Sequence, residues 1–207
     1  EFYNRTDDII TGIIRRVEQK NVYIDLGKAE AVLPQAEQIA TEEYAVGERI
    51  KCYVVEVRKT TKGAQILLSR THPGLLKRLF ELEVPEIYDG VVELQSVARE
   101  PGRRSKIAVY SRDPNVDCVG ACVGPKGVRV QNIVMELQNE KIDIVKWDED
   151  PAVYIANALS PSQVISVTVD ESKKTSAVVV PDYQLSLAIG KAGQNARLAA
   201  KLTNWKI

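Results

Sequence analysis

The stretch CVGACVGPKGVRVQ, residues 118–131, decides the fold of this chain, because its central turn returns in LAIGKAGQNARLA, residues 187–199. Both stretches place a Gly-x-x-Gly turn between two segments whose apolar residues recur at helical spacing. Glycine adopts backbone angles that are closed to other residues, and it carries no Cβ to obstruct an approaching molecule. Gly190 follows Gly124 by 66 residues, so the pattern indicates two copies of one structural unit.

The two copies share one order of predicted elements: helix, strand, strand, helix, glycine turn, helix, strand. Hydrophobic periodicity and turn residues predict the elements of the first copy at 75–82, 91–97, 106–110, 118–123, 128–137 and 142–147. They predict those of the second copy at 151–159, 164–169, 177–180, 183–189, 194–202 and from Trp205 onward. Each copy is therefore expected to fold as a small α+β domain.

The order of elements around each turn is typical of a KH domain of the bacterial α-β-β-α-α-β type, which clamps about four nucleotides of a single strand. The helix after the turn directs free N–H groups and the positive end of its dipole towards the turn, which favours phosphate. Lys126 and Lys191 add one cation to each turn. The alternative is that both turns only connect helices.

Residues 9–70 carry a different pattern, of short strands separated by glycine turns. Alternating apolar residues predict strands at 9–17, 21–26, 29–33, 50–57 and 65–69. Five such strands in about 60 residues favour a small OB-type barrel, although an SH3-like barrel or an unrelated sheet stays open. The predicted fold class is therefore multidomain, β plus α+β: an OB-fold five-stranded barrel at 1–72, followed by two tandem KH domains at 73–147 and 148–207.

Composition limits the classes of function. The 207 residues include 28 basic and 28 acidic side chains, a net charge of zero, which argues against a protein that coats nucleic acid through bulk charge. Three cysteines and one distant histidine, His72, provide neither a disulfide framework nor a zinc site, so we expect no metal, no cofactor and a reducing cytoplasm. No apolar run approaches the roughly 18 residues of a membrane span. The chain opens on Glu1 rather than Met, which indicates a piece of a longer protein.

Several long motifs resemble the NusA family of bacterial transcription elongation, termination and antitermination factors. These motifs are the two glycine-turn stretches together with EVPEI at 83–87, RSKIAV at 104–109 and IDIVKWDEDP at 142–151. The resemblance runs through essentially the whole chain, in the domain order of that family. It implies binding of single-stranded nascent or leader RNA by the KH pair, attachment to RNA polymerase through an N-terminal domain absent from this chain, and work with other antitermination factors. We also expect a monomer in the cytoplasm.

The resemblance carries RNA contacts onto the two turns and the helices that follow. In the first copy they are Gly124, Pro125, Lys126, Gly127, Arg129 and Gln131. In the second copy they are Gly190, Lys191, Ala192, Gly193, Gln194, Asn195 and Arg197. Because Ala192 follows Lys191, we expect fewer ionic contacts from the second turn. A locally basic run is expected to border the first groove, with a solvated β-turn as the alternative; its residues are Arg104, Ser105 and Lys106.

The barrel resembles the OB-type RNA-binding module that is repeated in a large ribosomal protein of the small subunit. Such modules present aromatics, a histidine and a basic residue on one face. Here Pro34 falls in the place of the histidine and Gln65 in that of the basic residue. Because stacking on an aromatic is worth about 1–3 kcal/mol per base, we expect weak RNA binding, oriented by Arg15, Arg16 and Tyr23. Tyr23 as an ordinary surface tyrosine stays open.

Rival functions find less support in the residues. Neither turn has the G-x-x-x-x-G-K-[ST] spacing of a phosphate-binding loop, and the single His72 offers no nucleophile system, so we expect no enzyme. A nuclease would need carboxylates gathered around two metals. An exoribonuclease module would place KH before the barrel and usually has one KH. A ribosomal KH protein is typically strongly basic, and this chain is neutral.

Overall fold

A computed structural model describes residues 5–207, so the first four residues of the predicted 1–72 region lie outside the described part. A closed five-stranded barrel comes first, with strand order β1-β2-β3-β5-β4. All five predicted strands are present. Their bounds are β1 (Ile9–Glu18), β2 (Asn21–Asp25), β3 (Glu30–Leu33), β4 (Arg49–Thr60) and β5 (Gly63–Ser69).

The barrel closes around the apolar residues that alternate along its strands. In β2, Val22 and Ile24 are buried while Tyr23 is half-exposed, because successive side chains of a strand point to opposite faces. Strand β3 pairs antiparallel with β2 and parallel with β5. That parallel pairing joins the two ends of the sheet and completes the barrel.

The first KH unit follows the barrel without a linker. It begins with α1 (Pro73–Glu83), which is capped where the His72 ring nitrogen accepts a hydrogen bond from the Gly74 N–H. Pro85 prevents α1 from continuing. The remaining elements are α2 (Pro85–Tyr88), β6 (Val92–Glu100), β7 (Arg104–Ser111), α3 (Cys118–Val123), a 3-10 turn (Pro125–Gly127), α4 (Val128–Glu136) and β8 (Lys141–Lys146). The three strands form one sheet with β7 in the centre, antiparallel to β6 and parallel to β8.

The second KH unit repeats this order in a smaller form. Its elements are α5 (Pro151–Ala158), β9 (Ser166–Asp170), β10 (Thr175–Val179), a 3-10 turn (Asp182–Gln184), α6 (Leu185–Ile189), a second 3-10 turn (Lys191–Gly193) and α7 (Gln194–Thr203). The strand predicted from Trp205 is reduced to a single parallel bridge between Thr175 and Lys206. The Trp205 side chain is buried in the core of this unit.

The sheet of the first KH unit is covered on both faces. Strand β7 directs Ile107 and Val109 into a core with α1, α3 and α4. It directs Ala108 to the opposite face, where Ile155 of α5 and Leu198 of α7 pack against it. Because this second core contains residues of both KH units, the two units share one hydrophobic interior rather than touching only at their surfaces.

A buried ion-pair network joins the barrel to the first KH unit. The Arg70 guanidinium donates to both carboxylate oxygens of Glu42, at 2.7–3.1 Å, and to the carbonyl of Lys51 in the barrel. It also donates to the backbone carbonyl of Glu136 at the end of α4, at 3.0 Å. The Arg70 side chain is 1% exposed. The desolvated Arg70–Glu42 pair lies within the 1–72 region, and the arginine links that region to the first KH unit through its bond to the Glu136 carbonyl.

In the part of the chain that the structure covers, no helix is long and apolar enough to span a membrane. Among residues 5–207, no group of three or more His, Cys, Asp or Glu side chains is arranged to hold a metal ion.

Candidate nucleic-acid interface

The two glycine loops have the same backbone conformation. In the first loop, Gly124 has φ/ψ of 77°/171° and Lys126 has 54°/24°. In the second, Gly190 has 79°/168° and Ala192 has 54°/28°. The backbones of the two loops therefore match position by position. The two lysines do not: Lys126 is the second residue between its glycines, whereas Lys191 is the first.

The two glycines of each loop serve different purposes. A Cβ on Gly124 would lie 2.6 Å from the Cγ of Arg129, and one on Gly190 would lie 2.7 Å from the backbone nitrogen of Asn195. These first glycines let the loop pack against the following helix. A Cβ on Gly127 would meet nothing within 4 Å among the described residues. The outer side of the loop is therefore open to another backbone.

Each loop ends at the N-terminus of a helix. Gly127 and Gly193 occupy the cap positions of α4 and α7 with left-handed φ of 75° and 74°, and neither helix start receives a side-chain cap from the described residues. The first N–H groups of a helix have no partner inside it. Together with the helix dipole they attract an anion such as a phosphate.

Most of the predicted loop residues are accessible. The exposed ones are Pro125, Lys126, Gln131, Lys191 and Ala192, and Gln194 is half-buried. The structure brings these side chains together only within each loop and the first turns of the helix after it. The two loops therefore present two separate sets of hydrogen-bond donors to an extended ligand.

The two arginines after the loops are not free cations. Arg129 donates to Glu86 at 2.8 Å and to the carbonyl of Ala121 at 2.7 Å. Arg197 donates through Nε to Glu100 at 2.8 Å and through Nη1 to the carbonyl of Ala192 at 3.0 Å. Both arginines lie beside their loops as the sequence predicts, but each has a carboxylate partner that the prediction missed.

The predicted role of the basic run at 104–106 is wrong. Lys106 is fully buried and donates to Asp143 at 2.9 Å and to the carbonyl of Ser160 at 2.8 Å. Ser105 is also fully buried and donates to Glu140, and Arg104 donates to Asp143. The physical reason is that β7 is the central strand of a sheet covered on both faces. Burial lowers the pKa of Lys106, and these residues do not border a groove or form a solvated turn.

The predicted RNA contact of the Asn195 side chain also disagrees with the structure. Its side chain is fully buried, and its amide nitrogen donates to the carbonyls of Leu159 at 3.0 Å and Ala188 at 2.9 Å. These bonds fasten the start of α7 to α5 and α6. An RNA contact of this side chain is therefore excluded in this conformation, and the residue has a structural role behind the second loop.

The predicted barrel residues form one exposed cluster. Arg16 donates to both oxygens of Glu30, at 3.0 and 2.9 Å, and its guanidinium lies 4.3 Å from the centre of the Tyr23 ring. Arg15 pairs with Asp25 on the neighbouring strand. Tyr23 also lines a cleft of about 410 Å³, whose other walls include Gln65 and a segment that the prediction missed, Thr60, Thr61 and Lys62. The tyrosine therefore carries a stacked arginine on one face.

Three family models match consecutive parts of this chain. They are the S1 RNA binding domain over residues 3–69, the NusA-like first KH domain over residues 70–147 and the NusA-like second KH domain over residues 151–207. The chain belongs to the NusA family. The S1 match decides between the barrel types left open by the sequence, and the predicted fold class, an OB-type barrel followed by two KH domains, is confirmed.

Relatives in the NusA family match this chain along its whole length. The Transcription termination/antitermination protein NusA of Halalkalibacterium halodurans is 67% identical over 207 residues, which are 100% of this chain and 54% of that protein. The protein of the same name from Bacillus subtilis is 66% identical and 56% covered, and that from Thermus thermophilus is 50% identical and 54% covered. The chain thus spans about half the length of the curated relatives it matches.

Two residues beside the loops, Glu86 and Glu100, were not selected from the sequence. Glu86 lies in the EVPEI motif directly after Pro85, in the first turn of α2. It is 43 residues from its partner Arg129, and Glu100 is 97 residues from Arg197. Pairing over such separations is set by tertiary contacts, so a single sequence carried no local signal for it.

Proposed function

We propose that this chain binds single-stranded nascent or leader RNA through its two glycine loops and is the RNA-binding portion of a transcription termination and antitermination factor. The observation that carries the proposal is the repetition of one loop conformation, each copy ending at an uncapped helix N-terminus. Two such anion sites on units that share a hydrophobic core suit an extended polyanion. The names of the family models and relatives support the same conclusion.

In this proposal the sugar-phosphate backbone lies against residues 124–127 and 190–193, within reach of Lys126 and Lys191. Gln131 and Gln194 stand on the helices after the loops, where an amide can contact a phosphate or a base edge. The barrel orients RNA through Arg15, Arg16 and Tyr23 but adds little affinity. We further propose domain bounds of 1–72, 73–147 and 148–207.

The wider role follows from the family. We infer a cytoplasmic, monomeric segment without catalytic activity that acts when RNA polymerase is bound through a region outside this chain. There it would modulate pausing, termination and antitermination together with other antitermination factors. Tethering near the RNA exit raises the effective concentration of a binding site, to mM for a short flexible connection. A net-neutral chain with modest affinity can therefore act on a transcript that emerges beside it.

The test is fluorescence anisotropy with a labelled single-stranded RNA of about a dozen nucleotides, measured at several salt concentrations. A K126D/K191D variant is compared with the unsubstituted chain and with a K77D/K173D variant, which makes the same charge change at two exposed lysines away from the loops. We expect the loop variant to lose at least about tenfold in affinity. For the unsubstituted chain, the logarithm of the binding constant should fall linearly with the logarithm of the salt concentration, with a slope of roughly 0.7 per phosphate contact. Equal losses in both variants would refute the assignment of the RNA to the loops.

A further inference from the structure

The two arginines nearest the glycine loops are both neutralised by carboxylates from other elements. Arg129 of α4 pairs with Glu86 of α2, and their side chains are 26% and 35% exposed. Arg197 of α7 pairs with Glu100 at the end of β6, in the other KH unit. The pairs occur at different positions of the repeat, since Arg129 aligns with Asn195 and Arg197 with Gln131. The same electrostatic arrangement is therefore built twice from unrelated residues.

Backbone carbonyls hold both arginines beside their loops. Arg129 donates to Ala121 in α3, and its side-chain carbons lie directly behind Gly124. Arg197 donates to Ala192, inside the second loop. Neither guanidinium can swing away from the loop without breaking such a bond. A phosphate that reaches the loop therefore meets each arginine together with its carboxylate.

The environment of Glu100 strengthens this effect. Its Oε2 atom is buried and has no hydrogen-bond partner among the described residues, while Oε1 accepts both bonds from Arg197. A carboxylate that is partly removed from water is screened less than an exposed one. Its repulsion of a nearby phosphate is therefore felt close to the second loop.

We propose that Glu86 and Glu100 attenuate RNA binding: each cancels the charge of the arginine beside its loop and sets the affinity below what the loop and its cation would reach. The inference rests on the proposed function, because the ligand is the same RNA. It agrees with the neutral charge balance of the chain, since the two arginines beside the loops carry their own counter-charges. The attenuation keeps a passing transcript exchangeable at each loop.

The test compares RNA affinity of the unsubstituted chain with that of E86Q and E100Q. The matched control is E81Q, which also removes a carboxylate from an arginine pair, Arg78–Glu81 at 2.7 Å on α1. At low salt we expect E86Q and E100Q each to bind the dozen-nucleotide RNA about 2–5-fold more tightly, with the gain fading as salt approaches 1 M and the Debye length falls to about 3 Å. E81Q is expected to change the Kd by less than about 1.5-fold.

A double variant, E100Q/R197Q, shows whether the gain passes through the arginine. We expect it to return to within about 1.5-fold of the unsubstituted chain. The inference is overturned if E86Q and E100Q match E81Q or bind more weakly, or if the double variant keeps the gain. Thermal melting identifies a variant that fails to fold. The variant at the other site then provides the test by itself. If the unsubstituted chain binds no RNA, the proposed function fails and this inference with it; binding without a gain overturns this inference alone.

Discussion

Lys126 and Ala192 have the same left-handed backbone conformation, with φ of 54° in both, although one is a charged side chain and the other a methyl group. The two loops are thus equal in shape and unequal in charge distribution. Lysine is already accepted in this conformation at one of the two positions. A positive charge can therefore be added to the second loop at residue 192 without a change of backbone conformation.

We expect Ala192→Lys to tighten binding of single-stranded RNA by about 2–5-fold at low salt, because the added cation lies at the same loop position as Lys126. Fluorescence anisotropy measures the change. The control is Ala177→Lys, which adds the same charge at an exposed position of β10. Equal tightening by both variants would show that only the net charge matters, and would contradict the prediction.

We expect Ala192→Gly to raise the free energy of unfolding by about 0.5–1 kcal/mol. A left-handed conformation costs an L-residue with a Cβ about 1–2 kcal/mol, and part of the relief is lost to the greater freedom of glycine in the unfolded chain. Urea denaturation measures the change. Ala200→Gly in the interior of α7 serves as the control with the opposite sign, since glycine in a helix interior costs about 1 kcal/mol. A loss of stability in both variants would argue against strain at Ala192.

We expect Arg70→Met to lower the free energy of unfolding by about 3–5 kcal/mol, because it leaves the buried carboxylate of Glu42 without its cation. The Glu42 side chain is fully buried. The double variant Arg70→Met/Glu42→Leu should recover at least half of this loss, since no buried charge remains. Denaturant unfolding monitored by circular dichroism gives both values. A single variant that costs less than about 1 kcal/mol would mean that water reaches Glu42.

We expect stability to fall steeply as the pH rises above 9. Burial raises the pKa of four groups to about 12: those of Cys52, Tyr53, Cys122 and Tyr154. The unfolded chain loses these protons from about pH 9 for cysteine and pH 10 for tyrosine, whereas the folded chain keeps them. The stabilisation is therefore complete at lower pH and disappears between about pH 9 and 12.

Urea unfolding at intervals from pH 8 to 11 measures this slope, which is at most about 1.4 kcal/mol per pH unit for each group. Cys52→Ala removes one group and should make the slope shallower. Val54→Ala, a comparable loss in the same barrel core, should lower stability at every pH and leave the slope unchanged. Parallel curves for the two variants would count against the role of Cys52.

The sequence predicted those parts of the fold that depend on neighbouring residues. Alternating apolar residues located the barrel strands, and the glycine pairs located both loops, because the loop conformation needs backbone angles that few residues adopt. The last strand was overpredicted at Trp205: its aromatic and branched neighbours favour a strand, but only Lys206 pairs with the sheet. The side chain of Trp205 fills the core instead.

Charged residues were the ones that sequence reasoning misplaced. In the sequence, Arg104 and Lys106 resemble a basic segment at the border of a groove. In the structure they lie on a central strand and pair with Asp143. Whether a strand is central or at the edge depends on the whole sheet, not on its own residues. The pairing of Arg129 and Arg197 also depends on distant elements. Local patterns therefore located the cations but not their counter-charges.

The core shared by the two KH units also has a consequence for selectivity. Because β7 is packed between helices of both units, the distance from one glycine loop to the other is fixed by side-chain packing and not by a hinge. If RNA occupies both loops as proposed above, the strand must cover that distance with a whole number of nucleotides. On that proposal, the pair of loops selects single strands by the spacing of their contact points.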